Sequence, residues 1–307
     1  MIKNILVSLL LTNSLLFGAL QTDITPEKNF TNRELLPLFY SMMSKISKHY
    51  YYKDTLNLQK MEDRLVEIKK ENGSLDKKSM YDLVNLSMDG MSGFYTKEQM
   101  LQKFAFLMDN SSTYKIKMYG DVTYVNLQKI TYDDVGKLRT YMKEKQPKKL
   151  ILDLRNNFYS TSLTISALAN FFVSKGVIYS RRYIDSKGKY NSRVLNATKN
   201  STILKNAEII ILVNERTASV AEAMAHSVKF QKYIEVIGQD TPGVSNSFFV
   251  ERFNGDDFLL LANAEYFYQK YRTLNKIGLN PEGRIKEDNA GIDKTLIRAI
   301  KTLKEKK

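Results

Sequence analysis

The run Glu208-Ile209-Ile210-Ile211-Leu212-Val213 constrains the fold more than any other stretch of this chain. A strand with one wet face alternates apolar and polar residues, so a nearly continuous apolar run bounded by polar ones predicts a parallel strand buried on both faces. Such a strand needs helices on either side. The neighbouring sequence offers them: Lys149 to Leu154 reads as a second buried strand, Ser162 to Val173 as an apolar helix, and Ala218 to Lys229 as a helix directly after the run. Upstream, Tyr114 to Met118 and Val122 to Leu127 read as strands joined by a Gly120-Asp121 turn, with a helix over Asp133 to Lys145. Strands near Ile234 to Ile237, Phe248 to Phe253 and Phe258 to Ala262, then a basic helix over Asp293 to Lys304, complete an α/β core expected over 111–307.

Before Tyr114 the pattern is helical. Thr31-Asn32-Arg33-Glu34 fits a helix cap, and Leu35, Phe39, Met42, Met43 and Ile46 follow at helical spacing. Further helices over Leu58 to Lys69 and Ser79 to Leu86 predict an all-helical unit spanning 21–110 and closing near Met108. Its Met and aromatic stripe reads as packing. Residues 1–20 read as an export signal, with Lys3 ahead of the apolar run Ile5 to Phe17 and small residues at Gly18-Ala19. The run is shorter than the roughly 20 residues a membrane span takes, and an uncleaved N-terminal anchor is the alternative. The expected location is the periplasm or cell envelope.

Composition narrows the chemistry. With no cysteine in 307 residues, thiol nucleophiles, disulfides and iron–sulfur clusters are excluded, and two histidines, His49 and His226, make a poor metal site. No cofactor and no metal are expected. The net charge of +14 favours acidic partners such as an anionic envelope surface. The lysines are spread along the chain without a basic and aromatic stripe, so nucleic acid is not an expected partner.

One segment invites a catalytic reading: Asn214-Glu215-Arg216-Thr217-Ala218-Ser219-Val220-Ala221-Glu222, where a buried strand turns into a helix. A hydroxyl at that junction faces unpaired helix N-terminal N–H groups, which suits an oxyanion, and it equally suits an ordinary helix cap. Both readings stay open on the residues alone.

The segment resembles the nucleophile motif of the tail-specific, or carboxy-terminal processing, serine peptidases. Three further stretches resemble that family's other signatures in order: Asp153-Leu154-Arg155-Asn156-Asn157 at a strand end, Gly238-Gln239-Asp240-Thr241-Pro242-Gly243 after the next strand, and Gly278-Leu279-Asn280-Pro281-Glu282 near the end. Ile46 to Tyr52 and Asp89 to Tyr95 resemble the helical segment before the family's PDZ module. Only a short stretch separates Tyr95 from Tyr114, where a PDZ domain would need roughly 80 to 100 residues.

The resemblance implies a Clp protease/crotonase-like core with an N-terminal helical subdomain. It implies Ser219 as nucleophile and the Val220 N–H in the oxyanion hole, with Glu222, Asp153, Arg155, Asn156 and Thr241 in support. It also exposes departures. The lysine base expected 25 residues after the nucleophile falls on Val244, and a glutamine four residues later falls on Phe248. The Pro-Gly-Gly expected after Asn-Asn is Phe158-Tyr159-Ser160, and the histidine used by tricorn-like relatives falls on Asn126. His226, Lys229 and Lys232 remain as stand-in bases, with His226 two helical turns, about 11 Å, beyond Ser219.

Two functions follow as expectations. The first is an exported serine endopeptidase of the tail-specific type, acting on envelope proteins or peptides through Ser219. The second is a non-catalytic pseudopeptidase that binds peptide tails or scaffolds an active paralogue in a homo- or hetero-oligomer. A third reading takes the charge itself as the function and makes the chain an envelope-surface binder.

Overall fold

The computed structural model describes residues 32–306, apart from 71–74, 109–110, 159, 174, 199–203, 205–206, 232, 269–271 and 287–290. The export signal, the linker after it and the Thr31 cap lie outside the described residues.

The described residues begin with the helices α1 (Asn32–His49), α2 (Leu58–Lys70) and α3 (Lys77–Asn85). A short strand β1 (Gly93–Tyr95) and helix α4 (Lys97–Met108) follow. Then come the hairpin β2 (Lys115–Tyr119) and β3 (Val122–Asn126), helix α5 (Tyr132–Lys145), strand β4 (Lys149–Asp153) and helix α6 (Ser162–Ala169). A second hairpin, β5 (Val177–Ile184) and β6 (Tyr190–Asn196), precedes β7 (Glu208–Val213), helix α7 (Ser219–Val228) and β8 (Ile234–Gly238). The chain continues through β9 (Asn246–Phe253), β10 (Asp257–Tyr268), β11 (Arg272–Thr273) and β12 (Gly283–Arg284), and closes with helix α8 (Lys294–Glu305).

Two six-stranded sheets result. The first runs β12-β8-β7-β4-β3-β2, parallel except for the β2–β3 hairpin. Its centre is the run that dictated the fold. Ile209, Ile211 and Val213 pack into the core beneath α5, α6 and α7, while Ile210 and Leu212 pack with Ala299 and Leu303 of α8 on the opposite face. Both faces are dry, as the unbroken apolar run requires.

The second sheet is antiparallel, ordered β1-β10-β5-β6, with β9 and β11 also paired to β10. Here the expectation of an all-helical N-terminal unit meets a strand: Gly93–Tyr95 pairs with Phe258–Leu260. The helices also lack a core of their own. Met42, Ile46, Tyr81 and Val84 pack in one cluster with Leu259, Leu261 and Phe248 of the second sheet.

A strap ties the N-terminal helices to the β5–β6 hairpin. Lys53 Nζ donates to the carbonyls of Ser47 (3.0 Å) and Gly188 (2.6 Å), and the Tyr190 hydroxyl lies 2.9 Å from both the Tyr51 carbonyl and Asp54 Oδ2. Beside it the Tyr51 N–H donates to the Ala262 carbonyl at 2.7 Å, joining the end of α1 to β10.

Candidate active site

Ser219 stands where β7 gives way to α7. Ala218 is extended (φ −142°, ψ 177°), and Ser219 then takes a left-handed backbone at φ 60°, a conformation that costs an L-residue about 1–2 kcal/mol. Neighbouring chain over-determines this bend. The Ala218 N–H donates to the Asn157 carbonyl (3.0 Å), the Ser219 N–H to the Val244 carbonyl (2.6 Å), and the Thr217 hydroxyl to the Leu154 carbonyl (2.9 Å). Ala218 cannot cap the helix with a side chain, so after the Ser219 N–H, which goes to Val244, no side chain caps the first turn of α7.

The hydroxyl itself is spent. Ser219 Oγ donates to the Asn246 carbonyl at 2.5 Å, and the residue is 7% exposed. A main-chain carbonyl accepts a hydrogen bond but does not take the proton, so this partner does not turn the hydroxyl into a nucleophile. Among the described residues no amine or imidazole lies within hydrogen-bond reach of Ser219 Oγ. Val244, whose carbonyl holds the Ser219 N–H, and Phe248 carry apolar side chains that pack in the second core.

The stand-in bases lie elsewhere. His226 is buried against the rings of Tyr268 (centroids 3.5 Å apart) and Phe230 (5.3 Å), its Nδ1 without a partner among the described residues. Burial, helped by Lys229 and Arg272, pushes its pKa down to about 4. Lys229 lies over the Phe230 ring, and Lys232 falls outside the described residues. Asn126 ends β3, where its Oδ1 accepts from the Gln128 N–H at 2.9 Å.

Glu222 acts on the scaffold. Its Oε1 accepts from the Thr241 hydroxyl and from the Gly243 N–H (2.9 Å), while Oε2 has no partner among the described residues. Burial raises its pKa to about 7 against the pull of those donors. Thr241 in turn holds the next signature. Its N–H donates to the Leu279 carbonyl (3.1 Å) and its Oγ1 accepts from the Leu279 N–H (2.7 Å). Gly243 and Gly278 permit this contact: both have positive φ, and a Cβ on Gly278 would sit 2.1 Å from the Thr241 carbonyl oxygen. Two signatures far apart in sequence are thus one interlocked pair of turns, pinned by Glu222.

Asp153, Arg155 and Asn156 hold the other side. Asp153 is fully buried, accepting from Tyr124 (2.8 Å) and from the Arg155 guanidinium, which also grips Asp293 with two contacts of 2.8 Å. Asp293 caps α8 through the Leu296 N–H, so this cluster fastens the C-terminal helix to the end of β4. Asn156 and Asn214 exchange hydrogen bonds of 2.9 and 3.0 Å across the two strand ends. Asn157 ties the loop down through the Leu127 carbonyl (2.6 Å) and the Ser160 hydroxyl. Tyr159, in the stretch that replaces Pro-Gly-Gly, lies outside the described residues.

A cavity of about 420 Å³ is lined by residues that sequence reasoning missed, among them Tyr52, Asn246 and Asn275, and two of its lining residues, Val244 and Asn246, are those whose carbonyls hold Ser219. Val244 and Phe248 form part of its apolar wall.

A mostly parallel sheet flanked by helices, with a serine at a bent strand-to-helix junction, defines a Clp protease-like α/β fold. The chain belongs to peptidase family S41: the model of that family, Peptidase family S41, matches residues 121–285. It is similar to a probable CtpA-like serine protease of Staphylococcus saprophyticus, with 24% identity over 172 residues, covering 55% of this chain and 34% of that protein. It is equally similar to the carboxy-terminal processing protease CtpA of Bacillus subtilis, with 24% identity over 53% of this chain and 34% of that protein. The matched region thus spans about a third of those relatives' length. Two solved structures share the fold. A lipoprotein from Streptococcus agalactiae has a TM-score of 0.62 at 18% identity, covering 93% of this chain and 99% of its own. The photosystem II D1 C-terminal processing protease has a TM-score of 0.57 at 15% identity, covering 84% and 94%.

Proposed function

We propose that this protein is a non-catalytic relative of the carboxy-terminal processing peptidases that binds peptide in the cleft beside Ser219, in an exported, envelope-located setting. The observation that carries this reading is the hydrogen bond from Ser219 Oγ to the Asn246 carbonyl, with Val244 in the register of the lysine base. A serine hydroxyl needs a proton acceptor to attack a carbonyl, and loss of that acceptor costs orders of magnitude in rate. The scaffold for holding an acyl group remains: the bent serine, the uncapped first turn of α7 and the turns pinned by Glu222.

The competing reading, an active endopeptidase, is separated by fluorophosphonate labelling of wild type, Ser219→Ala and Val244→Lys between about pH 6 and 10. Wild type is expected to stay unlabelled and Val244→Lys to gain labelling at Ser219. Labelling of wild type that disappears in Ser219→Ala would sink the proposal and make the protein a working serine peptidase.

A further inference from the structure

The cavity beside Ser219 is richer in unspent hydrogen-bond donors than a site for apolar chain would need. Tyr52 is the centre of this. Its phenolic oxygen accepts from Asn246 Nδ2 (2.7 Å) and Asn275 Nδ2 (2.8 Å), which occupies both lone pairs. Its own proton has no acceptor among the described residues. Burial raises the pKa of this phenol, so the proton stays in place at neutral pH.

Around it stand Lys60 and Lys276, exposed side chains that line the same cavity and form no ion pair among the described residues. Asn57 also lines it. Its Oδ1 is taken by the Lys60 N–H (3.2 Å), and Nδ2 is left to donate. The one carboxylate in the lining, Asp89, is turned to its own loop: Oδ1 accepts the N–H groups of Met91 (2.9 Å) and Ser92 (2.6 Å), and Oδ2 accepts the Ser92 hydroxyl (2.8 Å). The lining therefore holds two ammonium groups against one occupied carboxylate. The apolar part of the lining is Met88, Met91, Val244 and Phe248.

We infer that this cavity takes a carboxylate carried by a peptide, with Lys60, Lys276, Tyr52 and Asn57 as its donors and the apolar wall receiving the adjoining side chain. Charge-assisted hydrogen bonds are shorter and roughly twice as strong as neutral ones, so a carboxylate that recruits both lysines is preferred over its neutral counterpart. Two of the lining residues, Val244 and Asn246, also hold Ser219 through their carbonyls, so the cavity and the serine share a strand segment. The inference rests on the peptide-binding reading above and names what that site selects.

The test uses the purified full chain and peptides of about ten small and apolar residues, a length that reaches across the cavity and beyond it, labelled at an acylated N-terminus with an uncharged boron-dipyrromethene dye. One peptide ends in a free carboxylate, one is the same sequence as a C-terminal amide, and one is the amide with two internal glutamates. Fluorescence anisotropy gives the affinities. At least one carboxylate-bearing peptide is expected to bind wild type about tenfold or more tighter than the neutral amide, with the gap narrowing as salt rises. Tighter binding of the free acid assigns the site to a chain terminus, and tighter binding of the glutamate peptide to acidic side chains. The double variant Lys60→Gln, Lys276→Gln should bind all three alike, while Lys60→Arg, Lys276→Arg keeps the preference. Both lysines are exposed, so folding is not at stake.

Equal binding of the three peptides by wild type would overturn the carboxylate site and leave peptide binding standing. A preference that survives in the glutamine variant would place the carboxylate elsewhere and overturn it too. Failure of every peptide to bind would overturn the peptide-binding reading along with it.

Discussion

At the scale of single residues, Ser219 shows how a conformation can be kept for a chemistry its neighbours do not supply. Its φ of 60° is a left-handed value that glycine takes without penalty and other residues do not. Ser219→Gly is therefore expected to unfold at a higher urea midpoint than Ser219→Ala, by about 1 kcal/mol, since both lose the hydroxyl and only the glycine relieves the backbone. Equal midpoints would mean that the bend is unstrained. The residue itself was legible from the chain because its motif is local, and so was Val244 by counting from it. Asn246 was not. It holds Ser219 through a main-chain carbonyl, which every residue type possesses, so no side-chain identity in the sequence marks it. Tyr52 lay in a quoted run of three tyrosines, but its partnership with Asn246 and Asn275 joins residues about 200 positions apart and leaves no spacing to read.

At the scale of an element, α7 carries two buried ionisable groups with opposite pH behaviour. Glu222 has its pKa raised from 4.5 to about 7, so its contribution to stability is present below about 4.5 and lost as pH rises through 7. His226 has its pKa lowered from 6.5 to about 4, so its contribution is present above 6.5 and lost as pH falls through 4. Between about pH 4.5 and 6.5 the two slopes oppose each other, and wild-type stability should change little on their account. Glu222→Gln should become more stable as pH rises across that window, and His226→Leu less stable, by about 2–3 kcal/mol at most, in urea melts at fixed salt. Parallel profiles for the two variants would show that these groups are not the source. The helix was readable from the sequence to within a residue, because its apolar positions and its turn are local. The β5–β6 hairpin was not, since nearly every residue of β6 is exposed and the apolar alternation that marks a strand is missing. Strand β10 was read only as far as Ala262 and runs on to Tyr268, where pairing with β5 carries it past its apolar stretch.

At the scale of the whole molecule, the parallel core was legible and the boundary before it was not. Helical periodicity announces α1 to α3 but says nothing about what their apolar faces meet, and they meet the second sheet. A chain beginning at Lys97 would lose β1 from the edge of β10 and uncover the faces of Leu259 and Leu261. It is expected to collect in the insoluble fraction, while the full chain unfolds in one transition by both far-ultraviolet dichroism and tyrosine fluorescence. A soluble, folded truncation would show that the α/β core is autonomous. The strap at Lys53 and Tyr190 has a mechanical consequence. Tension entering through the N-terminal end of α1 would pass at Tyr51 into β10 and at Lys53 into the tip of the β5–β6 hairpin. The antiparallel sheet would bear that load as a girder, and because Asn246 of β9 accepts the Ser219 hydroxyl, strain in that sheet would reach the serine directly.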